Sequence, residues 1–245
     1  MAHMNSSQDS DYDFTMTHNY GEAIELMQTG FNEAAKMLRT DVAQKTKIQS
    51  KYAALVQHPA PHNAVVGFIP NVPNAIRNIP ESMITKDKKP MKRKTLDIVY
   101  SMHGSCMRKT DYFEEAGAAL LSAVDLIEKS GIQTRIDLAF MTSEENDEVT
   151  FPTVRIKNYD ERYSFQKVSF PLVHPSMFRR IGFKWLETNP YITQDFTFVY
   201  GHPPNTDKLD ANIERRKDCY FLDTAWIHSA DCSVEEILKK FEVIT

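Results

Sequence analysis

Along this chain the spacing of apolar and polar positions changes several times, and each change marks an element. From Tyr20 to about Leu55 the residues Ala23, Ile24, Met27, Phe31, Ala34, Ala35 and Leu38 recur at three- and four-residue steps. That period predicts helix with one apolar stripe, and Gly21 and Gly30 are its weak points. A short apolar run, Val65 to Ile69, leads into a stiff stretch holding Pro70, Pro73 and Pro80, where the fixed φ angles forbid a long helix.

The strongest pattern runs from Thr95 to Ile156. Leu96 to Tyr100 read as a strand, and Ser101 to Cys106 as a small polar loop. A helix then begins near Thr110 or Asp111, with Phe113, Ala116, Gly117, Leu120, Leu121, Val124 and Ile127 on its apolar face. Alternation from 134 to 141 and from 150 to 157 predicts two strands. The acidic tip between them, Ser143 to Glu148, is too short for a crossover helix, so they should pair antiparallel.

Farther on, His174-Pro175-Ser176 predicts a helix start, followed by an apolar stripe of Met177, Phe178, Ile181 and Trp185. Arg179, Arg180 and Lys184 fall on the other side. A strand is expected at 195–200 and another at Cys219 to Leu222. Ser233 should cap a last helix, with Glu236 completing a capping box. Strand, loop, helix, strand is a βαβ unit, so the chain should be an α/β protein. We divide it into a flexible polar N-terminus (1–19, beginning with a cloning remnant), a helical lead-in and proline-rich arch (20–94), and an α/β core (95–245).

Composition narrows the picture modestly. The chain has 245 residues, 42% hydrophobic and 25% charged, with a formal net charge of −4. That is enough apolar content for a core and too little net positive charge to advertise nucleic-acid binding globally. No apolar run approaches the ~20 residues needed to span a bilayer, and nothing near the start reads as a signal peptide. Cys106, Cys219 and Cys232 lack Cys-x-x-Cys spacing and read as reduced thiols in a cytoplasmic protein.

Candidate chemistry gathers after the first core strand. Ser101, His103, Ser105 and Cys106 lie where a strand's carboxyl end meets a helix N-terminus, whose free N–H groups suit an anion or an acidic side chain. The Arg179–Arg180 pair could grip a carboxylate or phosphate in bidentate fashion, or form a solvated face or an internal salt bridge. No Gly-x-Ser-x-Gly, Walker loop, His-Glu-x-x-His or Gly-x-Gly-x-x-Gly occurs, so catalysis is not assigned. His58 and His62 stand among prolines and read as a turn rather than a zinc site. The run 86–94 carries Lys86, Lys88, Lys89, Lys92, Arg93 and Lys94, a solvated linker or, with Arg179, Arg180, Arg215 and Arg216, a phosphate-binding patch.

The small-residue loop after the first strand, the long helix and the hairpin together resemble the von Willebrand factor A-like arrangement. That resemblance implies a three-layer, Rossmann-like α/β sheet with helices on both faces and here an N-terminal helical extension. Its Asp-x-Ser-x-Ser metal loop has no counterpart, because Ser101-Met102-His103-Gly104-Ser105 lacks the leading aspartate, so no metal is assigned. Over most of residues 20–190 the chain also resembles a family of bacteriophage-encoded proteins. The likeness rests on Gly67…Val72-Pro73…Pro80-Glu81-Ser82-Met83, the strand–Ser/Gly loop–Ala-rich helix, and His174-Pro175-Ser176-Met177-Phe178-Arg179-Arg180. It implies a protein at work in the infected cell, in the host cytoplasm or on the virion, and no reaction.

The leading expectation is a non-enzymatic protein without cofactor that binds a protein partner, phage or host. Ser101, His103, Ser105, Arg179, Arg180 and the Pro70–Met83 arch would form the rim. Nucleic-acid binding through Lys88, Lys89, Lys92, Arg93 and Lys94 is the second expectation, and a hydrolase or nuclease using Cys106 or Ser105 with His103 the third.

Overall fold

The computed structural model describes residues 6–48, 61–86, 95–102, 108, 110–140, 142–143, 149–150, 152–188 and 218–244. Two single helical turns, α1 (Ser6–Asp9) and α2 (Tyr12–Thr15), precede α3 (Tyr20–Thr29) and α4 (Asn32–Ile48). Asn19 caps α3 by accepting from Glu22 N at 2.9 Å. Gly30 then breaks the long predicted helix in two: it sits at φ +83°, and an added Cβ there would strike Gln166 O at 2.3 Å.

Next come β1 (Pro61–Ala64), β2 (Ile69–Pro70), α5 (Val72–Ile76) and β3 (Met83–Lys86), which form a small antiparallel sheet in the order β1-β3-β2. The prolines do limit helix here to the five residues of α5. The core strands follow: β4 (Thr95–Ser101), then α6 (Thr110–Lys129), then β5 (Gln133–Ala139) parallel to β4. The expected βαβ unit is therefore present. Short β6 (Thr142–Ser143) and β7 (Val149–Thr150) pair with each other, and β8 (Thr153–Lys157) runs antiparallel to β5. A helix over Phe165–Val173 (α7) was not foreseen. Past His174 the chain makes a π-helical segment, Met177–Gly182, and then α8 (Phe183–Thr188). β9 (Cys219–Asp223), α9 (Thr224–Ser229) and α10 (Val234–Lys240) complete the described chain. Ser233 accepts from Glu236 N at 3.4 Å, the N-cap that the sequence announces. The strand expected at 195–200 lies outside the described residues.

The main sheet has the order β8-β5-β4-β9. In strands the side chains alternate between faces, and Leu96, Ile98, Tyr100, Ile136, Leu138 and Leu222 all enter one buried hydrophobic cluster with α3, α4, α6, α7, α9 and α10. The helices of that cluster thus stack on one face of the sheet. α6 sits at the centre. It is buried nearly all round, with Phe113, Ala118, Leu120, Ala123 and Ile127 inaccessible, because the sheet lies under it and α4 and α7 lie over it. At 117 an added Cβ would come within 2.8 Å of Val173 Cγ1, so glycine sets the close approach of α6 and α7.

The opposite face carries a charged ladder. Arg135 bridges Asp97 and Asp137, Arg155 Nε donates to Asp137 Oδ1 at 2.9 Å, and the Tyr159 hydroxyl donates to Asp97. At the sheet edge the fully buried Lys157 ammonium is held by Glu128 Oε1 at 2.5 Å and by the Thr134 and Asn158 carbonyls. That pairing satisfies an otherwise costly buried charge.

Candidate functional site

β5 lies on one side of β4 and β9 on the other, so the carboxyl ends of β4 and β9 form the topological switch point, where α/β sheets place ligands. Ser101 stands opposite Asp223 there. Both are buried. Ser101 is fully buried, its Oγ 3.5 Å from the Ala139 carbonyl it donates to, and Asp223 Oδ1 caps α9 by accepting from Trp226 N at 2.6 Å. The Tyr100 hydroxyl lies 3.0 Å from Thr224 Oγ1, and burial raises its pKa far above the ordinary tyrosine value. His103, Ser105 and Cys106 lie outside the described residues, as do Lys88, Lys89, Lys92, Arg93, Lys94, Arg215 and Arg216.

Arg179 and Arg180, expected to grip a ligand or to form a solvated face or an internal salt bridge, are both buried, and they diverge. Arg179 comes near the 101–108 loop: its Nη1 donates to Arg108 O at 3.4 Å and also to Phe14 O, and its guanidinium lies 4.5 Å from the Phe14 ring centre. Arg180 turns to the N-terminal segment instead. It donates to the carbonyls of Ser7 (2.9 Å), Gln8 (3.3 Å), Ser10 (3.0 Å) and Thr17 (2.8 Å) and to the hydroxyls of Thr15 and Thr17. Residues 6–17, expected to be a loose tail, thus wrap a guanidinium whose donors they consume. Two causes defeat the periodicity argument: the π-helical turn changes which side chains share a face, and the covering segment lies far back in sequence.

One constellation has no sequence-level expectation behind it. His228, near the end of α9, donates from Nε2 to the Tyr112 carbonyl at 2.7 Å, since a carbonyl only accepts. The imidazole lies flat on the Tyr112 ring, centroids 3.7 Å apart and planes 7° apart, and the Arg108 guanidinium sits 4.6 Å from the same ring's centre. His228 Nδ1 is left to face Cys232 Sγ at 3.6 Å. Cys232 is brought back by a strained turn, with Asp231 at φ 52° and Cys232 at φ 49°, closed by Cys232 N donating to Ile227 O at 2.9 Å. Glu115, one helical turn beyond Tyr112 on α6, completes a group whose ligand atoms all lie within 4.8 Å of one another. Lys45 and Asp231 flank the open cleft of about 420 Å³ above it. Burial pushes the Cys232 thiol pKa up, Lys45 works against this, and Glu115 and Asp231 add to it. The four-residue step from His228 to Cys232 was a usable signal, but no sequence rule joins it to Glu115.

The arch has its own geometry. Asn71 caps α5 and donates from Nδ2 to Asn63 Oδ1 at 2.9 Å, while Asn74 Nδ2 donates to Glu81 O at 3.0 Å. An added Cβ at Gly67 would meet Ile84 O at 2.2 Å, so only glycine lets the β2 side of the sheet close on β3. On this self-braced frame Val65, Val66, Phe68, Ile69, Val72 and Ile76 are each at least half exposed, reaching 80% at Val66 and 77% at Ile76.

Fold and sites together define a mixed α/β protein whose four-stranded sheet carries a separate, apolar-faced antiparallel arch. The chain belongs to the family described as a domain of unknown function, DUF7192, which matches residues 2–245. No curated protein and no solved structure matches it. Among the described residues no helix is long and apolar enough to cross a membrane.

Proposed function

We propose that this chain is a non-enzymatic interaction protein that docks a protein partner on the arch at 61–86. The observation that carries the reading is the cluster of Val65, Val66, Phe68, Ile69, Val72 and Ile76 held in solvent on a braced frame. So many large apolar side chains exposed within twelve residues mark an interaction site. The arch runs directly into the basic segment 86–94. The partner surface that fits is therefore apolar at its centre and acidic at its rim. Of the rim first expected, the proposal keeps the arch; Ser101, Arg179 and Arg180 are buried, and His103 and Ser105 lie outside the described residues.

The same proposal keeps the core as a von Willebrand factor A-like, Rossmann-like domain. Its support is the strand order β8-β5-β4-β9, with β4 central and followed by a serine-bearing loop and the long helix. The proposed setting is an infected bacterium, where a phage-encoded chain would meet its partner in the host cytoplasm or on the virion. The motif order from Gly67 to Arg180 supports that setting.

The test is affinity capture of the tagged chain from infected cells after nuclease treatment, beside a Val66→Ser, Phe68→Ser, Ile76→Ser variant. A stoichiometric protein that rebinds when purified, and is lost with the triple variant, is the expected result. Equal recovery on the variant refutes the arch. Recovery of nucleic acid alone, removed by nuclease, moves the function to the basic segment.

A further inference from the structure

We propose that Glu115, His228 and Cys232 bind one divalent first-row transition metal ion of the zinc class, with a fourth coordination position open to the cleft between Lys45 and Asp231. The donor set is the first reason. A thiolate, an imidazole and a carboxylate are the ligands that zinc takes, and three protein ligands with one open position is a recurring arrangement for it.

Distance is the second reason. With Zn–S of about 2.3 Å and Zn–N of about 2.0–2.1 Å, two ligands at a tetrahedral angle stand about 3.5 Å apart. Cys232 Sγ and His228 Nδ1 are separated by 3.6 Å. Glu115 is exposed, and its carboxylate lies within 4.8 Å of both, so rotation of its side chain closes the remaining gap of about 1 Å.

Orientation is the third. Metal-binding histidines usually donate their other ring N–H to a carbonyl or carboxylate, which fixes the tautomer and aims the lone pair. His228 does this with the Tyr112 carbonyl at 2.7 Å, and the stacked Tyr112 ring prevents the imidazole from turning. The left-handed pair Asp231 and Cys232 then points the sulfur at the same place. On binding, the metal displaces the thiol proton to solvent, and the bound cation is balanced by the Cys232 thiolate and the Glu115 carboxylate. The inference stands apart from the docking role of the arch, and failure of either leaves the other intact.

The experiment is a Co²⁺ titration of the full chain, followed by absorbance and then by Zn²⁺ displacement. We expect saturation at one equivalent, with a thiolate-to-cobalt charge-transfer band that Zn²⁺ abolishes. Cys232→Ser should remove the band, and His228→Gln and Glu115→Gln should each weaken binding at least tenfold, while Cys106→Ala leaves it unchanged. Absence of saturable binding, or equal binding by the Cys232→Ser and His228→Gln variants, overturns the site. A hydrogen-bonded Cys–His pair without metal affinity gives that null result. Should circular dichroism show Cys232→Ser misfolded, the exposed Glu115→Gln variant decides, and unchanged affinity there also overturns it.

Discussion

Arg180 shows how one side chain can decide the fate of a segment. Its fully buried guanidinium answers four carbonyls and two hydroxyls between Ser7 and Thr17. Removing it orphans several buried acceptors at once, so Arg180→Ala should lower unfolding free energy by at least ~3 kcal/mol. Arg180→Lys should restore only part, because an ammonium has three donors and no planar fork. Urea unfolding measures the loss, and early proteolytic cutting before residue 18 would locate it. Six residues before Arg180, His174 is wedged between Phe31 and Phe170, and its Nδ1 accepts from Ser176 N at 3.2 Å. Burial lowers its pKa from 6.5 to about 4. The unfolded chain therefore takes up a proton near pH 6.5, and the folded chain only near 4. Stability is full above pH 6.5 and declines as pH falls through 4, by ~3 kcal/mol in all. In His174→Asn, which keeps an acceptor near the Ser176 amide, the slope in that window should flatten. Neither residue's role was legible in sequence. Arg180's acceptors stand 163 to 173 positions earlier, and no periodicity reports a contact at that range.

Elements were far more legible than their mutual packing. The strand–helix–strand unit from β4 to β5, the β5–β8 antiparallel pair, β9 and the Ser233 cap all follow from local period and capping chemistry. The stacking of α4 and α7 over α6 does not, because an all-round apolar helix such as α6 looks alike whether its second cover is another helix or a second sheet face. Gly117 was readable only as a small residue in an apolar stripe, and the structure shows what the size is for. Gly117→Ala would press a methyl group against the stiff, buried Val173 and should cost ~1–3 kcal/mol. Adding Val173→Ala should recover part of that loss, and a double-mutant cycle in urea would report a coupling well outside additivity. The same α6 is tied to the turn after α9 through Glu115, His228 and Cys232. With Zn²⁺ present at about a hundred times its dissociation constant, unfolding should therefore rise by ~2.7 kcal/mol, and a chelator should reverse the gain. Absence of a metal-dependent shift in the melting midpoint would contradict that link.

On the scale of the whole molecule, the arch and the core answer to different physics. The large hydrophobic cluster draws on every helix from α3 on except α5 and α8, and on β4, β5 and β9, yet takes no residue from 61–86. The arch is held instead by its own ladder and asparagine bonds, with Phe68 N donating to Ile84 O at 3.0 Å and Asn71 N to Ser82 O at 2.8 Å. Isolated small sheets are marginal in water, and one that holds its apolar side chains outward gains little from them in the free protein. Those side chains should then matter for binding and hardly at all for folding. Val66→Ser, Phe68→Ser and Ile76→Ser should each shift core unfolding by less than ~0.5 kcal/mol, as surface substitutions do. Replacement of the whole stretch 61–86 by a Gly/Ser linker of equal length should leave the cooperative unfolding of the core at nearly the same denaturant midpoint, while capture of the partner is lost. A large fall in that midpoint would mean that the arch is clamped to the core, and its outward apolar face would then need a structural explanation in place of a docking one.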